Sequence, residues 1–329
     1  MTEPLRTDLD PEAVAVVADI RSAGVPEWSA LSVESARRVE DEAFSGDDPP
    51  AVGFVRDVAI PGPEQEIPLR VYRNEGLGDA DSAPVLVYYH GGGWVLGTLD
   101  SIDGVCRRLA RRGDCVVVSV DYRLAPEHPF PSAVDDAFTA LRWVADNAED
   151  FGGDPNRLAV GGTSAGGNLA AVTAIRARNA AESRQTARLG GLGDDAPEIA
   201  RQVLCYPITD HAFDTDSYAE NADGPLLTED DMRWFWDHYL RSEVDGANPY
   251  ASPLRARDLA GLPPATVVTC GHDPLRDEGV AYAERLAESG VAVRHDHHPD
   301  QPHGFLSMSE SISAADRVFD ELGEELQHL

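Results

Sequence analysis

The run Leu158-Ala159-Val160-Gly161-Gly162-Thr163-Ser164-Ala165-Gly166-Gly167-Asn168-Leu169-Ala170 decides how the chain is read. A short apolar stretch reaches two glycines, then a serine, then two more glycines, and an Ala-rich, helix-competent segment follows to about Arg178. That order describes a buried strand, a sharp turn and a helix. Within it, Gly162-Thr163-Ser164-Ala165-Gly166 has the pattern G-x-S-x-G. The flanking glycines let strand and helix approach closely, and the strained turn lifts the serine hydroxyl clear of the sheet. Gly/Ser turns are common, so the motif alone is only moderately specific, a solvated strand-to-helix turn is the plain alternative, and the surrounding chain has to decide.

Upstream, Val85–Tyr89 reads as a buried strand ending in His90-Gly91-Gly92-Gly93-Trp94, and Val116–Val120 as another leading into Asp121-Tyr122-Arg123-Leu124-Ala125-Pro126-Glu127. Ile67–Tyr72 is a further strand, and Asp79–Ser82 a polar turn. Helices are expected over Ser101–Arg112, whose arginines suit a helix C-terminus, and over Val134–Asn147. Downstream, the polar stretch Asn179–Pro197 reads as an exposed, mobile loop. Strands recur at Val203–Tyr206, Thr266–Thr269 and Val291–Val293. Strands alternating with helices imply a mainly parallel sheet covered on both faces.

Before all of these, Asp10-Pro11-Glu12 starts a helix, with Asp as the capping residue and Pro in the first turn. Gly24-Val25-Pro26 breaks it, Ser32–Phe44 forms a second helix, and Gly46–Pro50 is a linker. Neither helix is long enough to stand alone, so both must lie on something else.

The charge balance excludes several functions. Asp and Glu number 58 against 27 basic residues, all of them Arg, for a net charge of −31. Such a polyanion does not bind nucleic acid or an anionic membrane by charge attraction. The acid excess goes beyond a Lys-for-Arg exchange and matches proteins that work in multimolar salt. No run of eighteen apolar residues is present, and the N-terminus lacks a basic segment leading into an apolar one, so a cytoplasmic location is expected. Cys106, Cys115, Cys205 and Cys270 are scattered, as suits reduced buried thiols and not a zinc site or disulfide framework.

If Ser164 is a nucleophile it needs a base, a group to orient that base, and donors for an oxyanion. After it, a strand over Ala265–Cys270 runs into Gly271-His272-Asp273-Pro274-Leu275-Arg276-Asp277-Glu278, where an acid just past a strand end is well placed. The next strand leads through His295, His297 and His298 to Gln301-Pro302-His303-Gly304-Phe305. Those three histidines have no second cluster at metal spacing, so solvated strand imidazoles are expected and no metal.

Five separated motifs in this order, His90–Trp94, Asp121–Glu127, the serine turn, Asp273–Asp277 and His303–Phe305, give a resemblance over nearly the whole chain. The chain resembles the hormone-sensitive-lipase-type carboxylesterases of bacteria and archaea, in the α/β-hydrolase superfamily. The resemblance implies an α/β-hydrolase fold with a helical cap. Ser164 would be the nucleophile, His303 the general base and acid, and Asp273 the orienting carboxylate. The backbone N–H groups of Gly92, Gly93 and Ala165 would form the oxyanion hole, with His90 and the segment Tyr122–Glu127 bracing that loop.

Thr163 replaces the Asp that commonly precedes the serine in this branch, which affects how neighbouring loops are tied together and leaves Asp277 and Glu278 as alternatives to Asp273. The division expected is 1–45 for the first part of the cap, 46–209 for the first part of the core, 210–245 for the second cap segment and 246–329 for the rest of the core. In the second cap segment Met232, Phe235, Trp236, Tyr239 and Leu240 share a helical face. Phe235, Trp236 and Tyr239 are the expected substrate contacts.

The reaction implied is hydrolysis of short- to medium-chain esters through an acyl-enzyme, with no cofactor. A small-molecule ester would be the partner, with a homodimer the one protein assembly considered. An amidase or aryl-formamidase with the same triad is the alternative enzyme. A ligand receptor on the same fold is disfavoured because such receptors lose the histidine that is present here as His303.

Overall fold

Runs of Val, Leu and Tyr flanked by Gly, Pro and Asp turns build the sheet, because β-branched and aromatic side chains pack well on a pleated surface. The computed structural model describes residues 4–45, 49–75, 82–187 and 196–329. Most of the expected turn at Asp79–Ser82, the first three residues of the Gly46–Pro50 linker and the middle of the Asn179–Pro197 stretch fall outside the described residues.

In chain order the main elements begin with α1 (Pro11–Ser22), α2 (Val33–Phe44), β1 (Phe54–Pro61), β2 (Glu66–Arg73), β3 (Ala83–Tyr89), α3 (Asp103–Arg112) and β4 (Val116–Val120). They continue with α4 (Ser132–Asn147), β5 (Gly153–Thr163), α5 (Ala165–Ala187), β6 (Arg201–Cys205), α6 (Asp216–Glu220) and α7 (Glu229–Tyr239). The last four are β7 (Ala265–His272), α8 (Arg276–Glu288), β8 (Val293–Pro302) and α9 (Ser313–Gln327).

The eight strands form one sheet in the order β1-β2-β4-β3-β5-β6-β7-β8. The first two pairings are antiparallel and the rest parallel. Strands β3, β4 and β7 are buried along their whole length, as expected for strands covered on both faces. One core joins the sheet to α4, α5, α7 and α8, and the other joins its opposite face to α3 and α9. Parallel strands deliver their C-terminal ends to one edge, and that edge is where Tyr89, Thr163, Cys205, His272 and Pro302 end their strands.

Two expectations change. Helix α5 continues past Arg178 to Ala187, so the stretch read as a loop from Asn179 begins as helix. The Ala, Glu, Arg and Gln residues over 179–187 are good helix formers, which accounts for the extension. The strand expected at Val291–Val293 lies further on, at Val293–Pro302, and carries all three histidines of that region.

Helix α2 and the turn before it reach across to α7. The N–H of Ser29 donates to Asp231 Oδ1 at 2.8 Å, while Asp231 and Thr228 close a reciprocal cap at the start of α7. The two segments 4–44 and 210–247 meet there, above the strand ends.

Candidate active site

The serine turn is as tight as its glycines suggest. Ser164 sits between β5 and α5 with φ +55°, a conformation that non-glycine residues rarely adopt. A Cβ on Gly166 would run into the carbonyl oxygens of Tyr89 and His90, and one on Gly162 into the Gly166 backbone. Strand β3 therefore passes directly beside the turn. The N–H of Ser164 donates to Cys205 O at 2.9 Å, which holds the strained residue to β6.

His303 follows β8 and Asp273 follows β7, so neighbouring strands bring them together. The His303 Nδ1–H donates to Asp273 Oδ2 at 2.8 Å. That tautomer leaves Nε2 to accept from the Ser164 hydroxyl at 3.1 Å. Asp273 is fully buried, and its other oxygen accepts the Leu275 N–H at 2.9 Å. The Tyr206 ring stands edge-on to the imidazole, with centroids 4.8 Å apart.

Gly92 and Gly93 have φ of +95° and +57°. A Cβ on Gly92 would strike Leu96, and one on Gly93 would overlap the Phe235 ring. Neither N–H donates to any acceptor among the described residues, and Ala165 is the first residue of α5, where a helix N–H has no partner of its own. A Cβ on Gly91 would come within 3.2 Å of Thr163 and 3.5 Å of Ser164, so the glycine loop abuts the serine. The Gly92 and Gly93 donors and the Ser164 hydroxyl thus border one cavity of about 340 Å³, lined also by α2, α7 and the chain between α1 and α2.

His90 is a brace. Its ring stacks on Tyr122 with centroids 4.2 Å apart, its Nδ1–H donates to Gly91 O at 2.8 Å, and burial pushes its pKa down to about 4. The Tyr122 hydroxyl donates to His90 O at 2.8 Å. Arg37 on α2 donates to Val95 O and Ala125 O, both at 2.9 Å, and pairs with Glu127. These contacts tie the loop after β3, the segment after β4 and α2 into one unit.

Of the expected substrate contacts only Phe235 lines the cavity, together with Met232. Trp236 and Tyr239 do not. They pack on Trp94, with Tyr239 stacked at 4.0 Å and Trp236 tilted at 4.7 Å between centroids. A helical face wide enough to hold all four residues turns one edge to the cavity and buries the other in the core. Asp277 accepts the Ser217 N–H at 2.8 Å, and Glu278 accepts the Thr209 N–H at 2.6 Å, so neither competes with Asp273. Glu278 is buried in the first turn of α8.

The β8 histidines are hydrogen-bonded and not merely solvated. His295 and His297 both meet the Thr269 hydroxyl at 2.8 Å, His297 donates to Leu5 O at 2.8 Å, and His298 pairs with Asp296. His272 donates to Thr7 O at 3.0 Å, pinning the N-terminal segment.

Arg37, Tyr206 and Glu40 belong to no motif that singles them out in the sequence. The signal for Glu40 is its spacing from Ala36, which puts both on the one buried face of α2.

A serine after β5, a buried aspartate after β7 and a histidine after β8, beside free backbone donors, define a serine hydrolase of the α/β class. The α/β hydrolase fold family model matches residues 86–307. The chain is 48% identical to the carboxylic ester hydrolase LipN of Mycobacterium tuberculosis over 256 residues, 77% of this chain, and spans 65% of that protein's length. It is 37% identical to an ethyl acetate hydrolase of Pseudomonas putida, over 93% of this chain and 94% of the relative. An ester hydrolase from the metagenome of Lake Arreo superposes with a TM-score of 0.87 at 41% identity, covering 97% of this chain and 98% of that one. The chain belongs to the hormone-sensitive-lipase-type carboxylesterase family of α/β hydrolases.

Proposed function

We propose that the protein hydrolyses short- to medium-chain carboxylic esters through an acyl-enzyme formed on Ser164. The observation that carries this is His303 held between Ser164 Oγ at 3.1 Å and Asp273 at 2.8 Å, on the wall of the cavity. His303 Nε2 takes the serine proton as Oγ attacks the ester carbonyl, and Asp273 holds the ring in the tautomer that can accept it. The N–H groups of Gly92, Gly93 and Ala165 receive the charge that builds on the carbonyl oxygen. His303 then returns the proton to the departing alcohol, and a water repeats the sequence to release the acid. No step calls for a cofactor.

Segments 1–45 and 210–245 serve as the cap, with Phe235 and Met232 against the acyl chain. The cavity lies at the small end of the roughly 300–1,000 Å³ usual for ligand sites, which favours short and medium chains. Four free, buried cysteines suit a reducing, cytoplasmic setting, and among the described residues no helix is long and apolar enough to cross a membrane.

The test is a panel of p-nitrophenyl esters of increasing acyl length with matched anilides, run on the wild type and Ser164→Ala. Esters should be cleaved far faster than anilides, with turnover falling by about 10⁴–10⁶ in the variant. Faster cleavage of anilides would favour the amidase. Turnover retained in the variant would remove Ser164 from the mechanism.

A further inference from the structure

The cavity beside Ser164 and His303 has a polar corner for which a plain alkyl ester has no use. Glu40 enters it from α2 with only 8% of its surface exposed. Ser101 and Gly97 stand beside its carboxyl, and Oε2 is buried with no hydrogen-bond partner among the described residues. His90 Nε2 is likewise buried and without a partner among the described residues. Because the His90 Nδ1–H is committed to Gly91 O, Nε2 is a lone-pair acceptor. Both groups flank Gly97, which neighbours the Glu40 carboxyl and whose Cβ, were there one, would strike the His90 ring. Buried polar atoms left without partners are costly, and a native cavity that carries two of them at one corner has a ligand or a water to receive.

The chemistry of the corner narrows the ligand. Burial, with Asp41 adding to it, lifts the Glu40 carboxyl to about 7, so near neutrality it both donates and accepts. The His90 imidazole stays neutral. Much of the cavity wall is apolar, formed by residues such as Ile20, Val39, Leu96 and Met232, and such a lining disfavours a bare cation. A neutral hydroxyl meets both needs, since it can donate to His90 Nε2 and accept from the Glu40 O–H.

We propose that Glu40, with His90 Nε2 beside it, forms a specificity-determining subsite for a hydroxyl on the substrate, making hydroxy-esters the preferred class. The proposal rests on the ester-hydrolase reading above. A water reaching the corner would supply the same hydrogen bonds in the free enzyme. A substrate hydroxyl can replace that water without loss, whereas an alkyl chain cannot.

The experiment compares kcat/KM within matched pairs. One pair, p-nitrophenyl butyrate and p-nitrophenyl 3-hydroxybutyrate, places the hydroxyl on the acyl arm. The other, ethyl butyrate and 2-hydroxyethyl butyrate, places it on the alcohol arm. The wild type should favour the hydroxylated member of at least one pair by about fivefold to tenfold, the worth of one or two net hydrogen bonds. Glu40→Leu should bring that ratio close to one, and Glu40→Gln, which keeps a donor and an acceptor, should preserve most of it. The ratio carries the test, because a disturbed glycine loop would slow both members alike. Equal rates within both pairs in the wild type, or a preference that survives Glu40→Leu, overturns the subsite and leaves the ester-hydrolase reading standing. Absence of Ser164-dependent hydrolysis of any ester overturns both.

Discussion

Three carboxylates, Asp273, Asp277 and Glu278, follow β7 within little more than one helical turn, and only the first meets His303. It leaves the strand directly, whereas the other two already lie on α8 and turn back to hold residues 209–217. Asp273→Asn should therefore lower kcat by about 10⁴-fold, since an amide no longer enforces the productive tautomer. Asp277→Asn should cost less than about tenfold, through a looser Ser217 segment. Rates of the two variants on one ester check this, and a larger loss in Asp277→Asn would move the orienting role. These residues were legible in the sequence because each stands where a strand meets Gly or Pro punctuation. Glu40 was obscured because Glu40-Asp41-Glu42 looks like a solvated charge run, and its spacing of four from Ala36 was the one hint that it lies on the covered face of α2. Its burial has a consequence for stability. The folded-state pKa, raised to about 7 chiefly by desolvation, lies above the ordinary value of 4.5. The folded state thus holds the proton more tightly, and stability present below about 4.5 is lost as pH rises through about 7. Glu40→Gln mimics the protonated form and should be more stable than the wild type by up to about 3 kcal/mol above pH 8, the gap closing steadily on acidification. Denaturant melts from pH 5 to pH 9 check it, and parallel curves would mean that the carboxyl is hydrated.

Helix α7 shows what periodicity can and cannot say about an element. Spacing identified a buried face through Met232, Phe235, Trp236 and Tyr239, and all four are buried. It could not say what each side of that face touches, because that depends on Trp94, which arrives from the loop after β3 and fills the space beneath Trp236 and Tyr239. The same limit applied to α5 and β8. Element type followed from pattern, but the end of α5 and the start of β8 depend on neighbours distant in sequence. The division within α7 yields a prediction. Phe235→Ala opens the cavity beside Gly93, where the ring already occupies the place of a Cβ. It should shift the acyl-length optimum to longer chains with a modest loss of stability. Trp236→Ala removes a core ring and should cost about 3–5 kcal/mol while leaving the acyl-length profile in place. Relative kcat/KM across acyl lengths, measured beside the melting temperature, separates the two. A profile altered equally by both variants would mean that α7 acts as one unit.

At the scale of the whole molecule the governing quantity is the net charge of −31. Arg is the only basic residue apart from histidine, and single guanidinium groups serve several carboxylates. Arg70 meets Asp57, Asp100 and Asp103, while Arg294 meets Asp296, Glu321 and Glu325. Such sharing neutralises charge locally but cannot offset 58 acids with 27 arginines, so the compact state carries a large self-repulsion. The unfolded chain spreads the same charge over a greater volume, and dilute buffer therefore favours unfolding. Salt should reverse this. The Debye length falls from about 10 Å at 0.1 M to about 3 Å at 1 M, below most separations between surface charges. Melting temperature and esterase turnover should both rise steeply over that interval. Screening alone depends on ionic strength, so KCl and NaCl would trace one curve that flattens below about 1 M. Cations held at carboxylate clusters would instead split the curves and extend the rise beyond that point. We expect a steep common rise followed by a smaller, salt-specific one. Thermal melts by circular dichroism across the two salt series, with turnover read in parallel, check this. Full stability in dilute buffer would show that the charge is tolerated without screening, and would end the high-salt reading while leaving the chemistry at Ser164 untouched.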